Sequence, residues 1–165
     1  MTLPSRKHAR LKDYDYSQPG AYFITVCTRD KKCTLGQVCV GPDALIGPHI
    51  KLTQLGECLE QALMSVNSVH SNVAVQYCIM PNHFHAVLTI SEVVNGPMGS
   101  SGPTLGGVVR GIKTTVSRAV GYSVWQDNYY EHVVRNEEDL LRILDYMASN
   151  PARWAEDKYY IAQES

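Results

Sequence analysis

The chain has 165 residues, enough for one domain with its own hydrophobic core and too few for two. Its 15 Lys and Arg against 16 Asp and Glu give a net charge of −1, which excludes a broadly basic surface and restricts any nucleic-acid contact to local patches. Five cysteines without a C-x-x-C pair argue against a disulfide framework, and no apolar stretch reaches the roughly 20 residues of a membrane span, so a reduced, cytoplasmic protein without membrane contact is expected.

Residues 1 to 20 are polar and basic and end in the turn cluster Ser17-Gln18-Pro19-Gly20. Ala21 to Cys27 reads as a strand, rich in aromatic and β-branched residues. Residues 33 to 51 are short apolar pieces interrupted by Gly and Pro, which predicts a hairpin or an irregular excursion. From Thr53, a candidate N-cap, the apolar residues Leu55, Cys58, Leu59, Ala62, Leu63 and Val66 follow helical spacing. Val73 to Ile79 and Phe84 to Ile90 read as two strands of an antiparallel hairpin, joined by Met80-Pro81-Asn82-His83 with Pro and Asn at turn positions that suit them. After a loop over residues 91 to 103, Leu105, Val108, Val109, Ile112, Val116 and Ala119 restore helical spacing and leave Arg110 and Lys113 off the apolar stripe. Val124 to Val134 is an aromatic, strand-like run. Asn136 is positioned to cap a last helix that ends where Asn150 precedes Pro151. The order strand, helix, strand, strand, helix, strand, helix predicts an α+β fold, a ferredoxin-like split βαβ antiparallel sheet with an added C-terminal helix. Two helices would cover one face of that sheet, and the last helix is the one regular element left for the other.

Strand alternation sends Phe84, Ala86, Leu88 and Ile90 to the helix-covered face and His83, His85, Val87 and Thr89 to the opposite one. Two imidazoles side by side beside a turn can share one cation, although H-x-H on a strand is more often a pair of exposed or hydrogen-bonded histidines. On the last helix Asp139, Tyr146 and Asn150 lie at i, i+7 and i+11 and share a face. The Asn150 amide oxygen would complete a mixed nitrogen and oxygen site suited to Mg²⁺ or Mn²⁺, yet the same residue is equally a helix terminator before proline. Tyr146, one turn earlier, stands where a metal-assisted nucleophile would, with Tyr129 and Tyr130 as rivals. Basic clusters occur at Arg6, Lys7, Arg10 and Lys12, at Arg29, Lys31 and Lys32, and at Arg110, Lys113 and Arg118, each of which also reads as ordinary solvated surface.

The string Met80-Pro81-Asn82-His83-Phe84-His85, with Trp125-Gln126, Tyr130-Glu131-His132, Arg135-Asn136, Asp145-Tyr146 and Asn150-Pro151, resembles the single-tyrosine HUH transposases. Within them it looks most like the insertion-sequence-200-like and REP-associated tyrosine transposases, a likeness that Arg10-Leu11-Lys12, Tyr14-Asp15-Tyr16 and Gly20-Ala21-Tyr22-Phe23 extend over most of residues 6 to 152. The resemblance implies a metal-dependent enzyme acting on single-stranded DNA, with Mg²⁺ or Mn²⁺ held by His83, His85 and Asn150 and Tyr146 as nucleophile. It implies a 5′-phosphotyrosine intermediate, a free 3′-OH and later resealing of the strand. Hairpin DNA is the implied partner, with Arg6, Lys7, Arg10, Lys12, Arg110 and Lys113 as candidate backbone contacts.

The whole chain is then expected to be one transposase domain: a basic arm (1–20), the sheet and its helices (21–135), the catalytic helix (136–151) and a tail (152–165). Oligomeric state stays open between a monomer and a homodimer that exchanges the tyrosine helix. Two other functions compete: a domesticated hairpin-binding protein that no longer cuts, and a metal-dependent phosphodiesterase in which water attacks. The last would call for more acidic ligands, for which Glu131, His132 and Asp139 are the visible supply.

Overall fold

A computed structural model describes residues 13–16, 18–41, 47–92 and 102–162. The arm residues Arg6, Lys7, Arg10 and Lys12 and most of the loop before the second helix lie outside them. Four strands form the main sheet: β1 (Gly20–Cys27), β4 (Val73–Ile79), β5 (His83–Ile90) and β6 (Tyr130–Val133). Their order is β4-β5-β1-β6 and every neighbouring pair is antiparallel. Two further strands, β2 (Gly36–Cys39) and β3 (His49–Leu52), make the separate hairpin expected in the Gly- and Pro-rich excursion.

Helices α1 (Gln54–Val69) and α2 (Leu105–Val120) pack on one face of the sheet. Each begins at a threonine whose hydroxyl accepts the backbone N–H three residues on, Thr53 from Gly56 and Thr104 from Gly107, both at 3.1 Å. Their apolar stripes meet Tyr22, Ile24 and Val26 of β1 and Phe84, Ala86, Leu88 and Ile90 of β5 in the main core. Gly121 ends α2 in the left-handed region at φ 79°, where a side chain would be strained. This arrangement is the predicted split βαβ, with α1 carrying the chain from β1 to β4 past the place that β5 fills.

The opposite face is covered as well. Helix α3 (Glu137–Ser149) lies across it, capped by Asn136, whose Oδ1 accepts the Asp139 N–H at 2.8 Å. Ile143 and Met147 close on Phe23 and Val87 in a second, smaller core. Each such buried side chain contributes about 1.5–3 kcal/mol, so four of them suffice to seat a helix of 13 residues. Asp139 pins the N-terminal end: its carboxylate accepts from His132 at 2.8 Å, from Arg142 at 2.6 Å and from the Arg135 N–H at 3.2 Å.

Three expectations need correction. Only Tyr130–Val133 of the run from Val124 to Val134 is strand. Residues 124–126 meet the end of β1 at a single antiparallel bridge, Trp125 to Thr28, where Trp125 turns inward onto Phe84, and Lys113 holds the carbonyls of Gln126 and Asp127 at 2.7 and 3.2 Å, so the chain stays against α2 until β6 begins. Asp139 does not join Tyr146 and Asn150 at a shared site, because three donors hold it at the far end of the helix. The segment after Asn150 is no plain tail: a 3-10 turn over Pro151–Glu156 folds back and buries Trp154.

The hairpin turn that carries the histidines is tied to the rest through Leu35. Its N–H donates to Pro81 O at 2.9 Å and its carbonyl accepts from Thr53 at 3.0 Å. A Cβ added at Gly56 would collide with that Leu35 carbonyl, which explains a glycine in the first turn of α1. Gly56→Ala is therefore expected to destabilise the fold by about 1–3 kcal/mol, lowering the denaturant midpoint in an urea melt.

Candidate metal centre and tyrosine helix

Register places the site. Thr25 stands opposite His85 and Cys27 opposite His83 across the β1–β5 ladder, so Thr25 and both imidazoles emerge on the α3 face. They are not on an open surface, as a sheet with one free face would have had it. His83 is 0% and His85 1% exposed, roofed by α3 and by the segment after it, with the Tyr159 ring 4.6 Å and the Trp154 ring 6.1 Å from that of His83. Burial holds both imidazoles neutral. It lowers His83 to about 2, with His85, Lys158 and Lys31 adding to the effect, and His85 to about 3, with Lys158 adding.

The hydrogen bonds fix where the lone pairs point. Asn82 donates from Nδ2 to two carbonyls, Lys31 O at 3.1 Å and Tyr159 O at 2.8 Å, and a carbonyl can only accept. Its Oδ1 therefore faces His83 Nδ1 at 2.8 Å and receives a proton from it. His83 must then carry its lone pair on Nε2, which lies 3.1 Å from His85 Nε2. His85 Nδ1 is 2.8 Å from the Thr25 hydroxyl, a group able to donate or accept. When Thr25 donates, His85 Nε2–H satisfies His83 and the chain of hydrogen bonds is complete. When Thr25 accepts, both Nε2 lone pairs open toward the same space.

Asp157 borders that space, with Oδ2 3.7 Å from His83 Nε2. Ligand atoms of His83, His85 and Asp157 all lie within 4.8 Å of one another. This carboxylate oxygen is buried without a hydrogen-bond partner, as is Nδ2 of the buried Asn150. Burial also raises the Asp157 carboxyl above its ordinary range. Two imidazole lone pairs and an unpartnered carboxylate oxygen form a donor set that a divalent cation would satisfy. Donors on adjacent corners of an octahedral ion, at ligand distances of about 2.1 Å, are about 3 Å apart, which is the spacing of the two Nε2 atoms. The residues present fit a metal.

Tyr146 stands at the edge of this centre. Its ring is 5.3 Å from that of His85 and 6.4 Å from that of Phe23, and the residue is 40% exposed. Burial raises the phenol above its ordinary pKa, with Asp157 and Cys78 adding to the rise and Asn150 and Arg153 opposing it. Tyr130, a rival nucleophile in the sequence, is separated from the histidines by Phe23. Tyr129 packs against the main core. Of the basic residues singled out on α2, Arg110 is exposed, and the ammonium of Lys113 is engaged by two carbonyls.

Sequence reasoning missed Asp157 and its neighbour Lys158, whose Nζ lies 4.9 Å from the Tyr159 ring and 5.4 Å from the Tyr130 ring. Neither sits in a periodic segment. The one available signal was a charged and aromatic cluster, Asp157-Lys158-Tyr159-Tyr160, just after a helix-ending Asn150-Pro151.

The histidine pair thus lies on an inner strand of a ferredoxin-like sheet, with the tyrosine helix laid over it. No family model matches the chain. An uncharacterized protein of Haemophilus influenzae is 32% identical over 175 residues, covering 94% of this chain and 93% of that one. The REP-associated tyrosine transposase of Escherichia coli is 24% identical over 139 residues, covering 84% of this chain and 70% of its own length. The fold is similar to that of a REP-associated tyrosine transposase solved bound to a REP hairpin, with a TM-score of 0.63 and 23% identity over 90% of this chain and 76% of that one. The chain belongs to one family with the Haemophilus influenzae protein, and in sequence and fold it resembles the REP-associated tyrosine transposases. Among its described residues no helix is long and apolar enough to cross a membrane.

Two measurements probe this centre. Asn82→Ala removes the acceptor that sets the His83 tautomer and is expected to weaken Mn²⁺ binding by about 10–100-fold in a calorimetric titration. In metal-free protein the buried histidines resist protonation, so below their unfolded pKa of about 6.5 the unfolded chain binds more protons than the folded one. Melting temperature should therefore fall as pH drops from 7 to 5, and a His83→Gln, His85→Gln protein should show a flatter profile.

Proposed function

We propose that this protein cleaves and rejoins single-stranded DNA through Tyr146, in DNA transposition, with a divalent metal, Mg²⁺ or Mn²⁺, bound by His83 and His85 together with Asn150 or Asp157. The observation that carries the reading is a buried pair of imidazole nitrogens 3.1 Å apart, beside a half-exposed tyrosine on the helix that roofs them. A bound cation would draw negative charge from a phosphodiester oxygen and favour the phenolate. Everything else in the scheme belongs to the chain.

Tyr146 Oη forms a bond to phosphorus while the bond from phosphorus to the 3′ oxygen breaks. The departing strand end takes up a proton to become a 3′-OH, and the tyrosine proton passes to solvent. The product is a 5′-phosphotyrosine that keeps the energy of the broken linkage, so attack by a 3′-OH reverses the sequence and frees the tyrosine without an external energy source. Asn150, one turn along α3, has a buried amide whose Nδ2 lacks a partner and would be available to donate to the charged phenol. Asn82 and Thr25 orient the two imidazoles, and the exposed basic residues Arg110 and Lys158 are suited to DNA phosphates. The relative bound to a REP hairpin supports hairpin DNA as the partner. In the arm, Arg6, Lys7, Arg10 and Lys12 remain proposed backbone contacts, and the whole chain is proposed to act as one transposase domain.

One observation favours a second reading. Asp157 supplies the acidic ligand that a hydrolytic phosphodiesterase would use, so water could replace Tyr146 as the attacking group. Labelled single-stranded hairpin DNA incubated with Mn²⁺ separates the two on a denaturing gel. The parent protein should yield a covalent protein-DNA adduct, and Tyr146→Phe should abolish it. An adduct that persists in the Phe protein would overturn the assignment of the nucleophile. Free cleavage products without any adduct would establish the hydrolase, and binding without cleavage a domesticated hairpin-binding protein.

A further inference from the structure

A groove of about 1660 Å³ runs along the outer side of α2 and the wrapped segment that precedes β6, and it ends at Tyr130, Lys158 and Tyr159 beside the histidine centre. Its lining is unlike the rest of the chain. Five cations, Lys31, Arg110, Lys113, Arg118 and Lys158, face it against two acids, Asp127 and Glu131, a formal +3 within a chain of net −1. The basic character that composition seemed to deny is concentrated here.

Aromatic rings share the same walls. Tyr122 and Tyr130 are 57% and 46% exposed and offer ring surface to the groove. Exposed ring faces suit unstacked bases, whereas a duplex hides its base faces and an acidic peptide would use the cations alone. Arg110 and Arg118 are exposed, form no ion pair among the described residues, and lie eight residues apart on α2, roughly 12 Å along its axis. Lys113 between them plays another part. Its ammonium holds the carbonyls of Gln126 and Asp127, and its own carbonyl accepts from Trp125 at 3.2 Å, so it is a strut of the groove wall.

The groove stops short of Tyr146, with the buried ring of Phe23 between them. Tyr130 contacts Phe23 with ring centroids 6.4 Å apart, and Phe23 stands at the same distance from Tyr146. Lys158 lies over Tyr130 where groove and metal centre meet. We propose that this groove is the track for the unpaired DNA flanking the scissile phosphate, with bases stacked on Tyr122 and Tyr130 and phosphates held by Arg110, Arg118 and Lys158. The assignment rests on the cleavage reading above and adds to it where the unpaired strand lies and what holds it.

The test uses Tyr146→Phe protein, which cannot form the adduct, and two fluorescent DNAs: a blunt hairpin and the same hairpin with a single-stranded flank. Fluorescence anisotropy across a salt series gives affinity and salt dependence. Adding Arg110→Ala and Arg118→Ala should weaken the flanked DNA by about 10-fold or more and reduce the slope of log affinity against log salt by about 1.4, two contacts at about 0.7 each. Tyr122→Ala, which removes no charge, should weaken the flanked DNA by about 10-fold with the slope unchanged. Blunt hairpin binding should stay the same throughout. Equal losses for both DNAs would overturn the track in favour of a duplex site, and unchanged binding of the flanked DNA would overturn it outright. Failure of the Tyr146→Phe parent to bind either DNA would instead sink the cleavage reading, and the groove with it.

Discussion

The register of β5 against β1 is the constraint on which the rest of the molecule depends. Both strands are buried on both faces, so a slip of one residue would turn His83 and His85 into the helix core and Phe84 and Ala86 onto the α3 face. The apolar alternation of Tyr22, Ile24 and Val26 against Phe84, Ala86 and Leu88 forbids that slip, because every second side chain would exchange a close-packed partner for a polar one. Register also puts Thr25 beside His85, and the turn at the end of the ladder puts Asn82 beside His83. The orientation of both imidazoles is thus a consequence of how two strands pair.

Roofing this face has a chemical effect as well as a structural one. Under α3 and the segment after it, the imidazoles are kept neutral and the carboxylate of Asp157 lacks a partner for one oxygen. In an open site water would satisfy those atoms. Buried, they concentrate an attraction for positive charge at one point. Tyr146 escapes full burial because it sits one position short of Met147 on α3, at the border of the stripe that meets the sheet. A helix seated by only Phe23, Val87, Ile143 and Met147 needs its polar anchor, and Asp139 provides it at the other end.

Charge is distributed rather than abundant. A near-neutral chain can still present a cationic groove when acids are placed elsewhere, as in the first turn of α3, where Glu137, Glu138 and Asp139 face the positive end of the helix dipole. Net charge is a sum over the whole surface, whereas binding responds to the local field.

Much of this was legible in the residues themselves. Alternation in β1 and β5, the threonine and asparagine caps and the helical spacing of α1, α2 and α3 are local signals, written within a few residues of where they act. They sufficed for the ferredoxin-like order of elements and for setting His83 and His85 apart from the main core, and the Met80-to-His85 string carried the resemblance to the REP-associated tyrosine transposases. Tertiary structure alone decided the remainder. Of the strand-like run over Val124–Val134 only Tyr130–Val133 is strand, with Lys113, eleven residues before its start, holding the carbonyls of Gln126 and Asp127. Asp139 was drawn into an anchor by donors from β6 and its own helix, and Asp157 reached the histidines from a segment with no period to read. Local patterns fix which face a side chain occupies; which distant segment comes to cover that face depends on contacts between residues far apart in the chain, such as Val87 with Ile143 and His83 with Asp157, and no short-range signal encodes them.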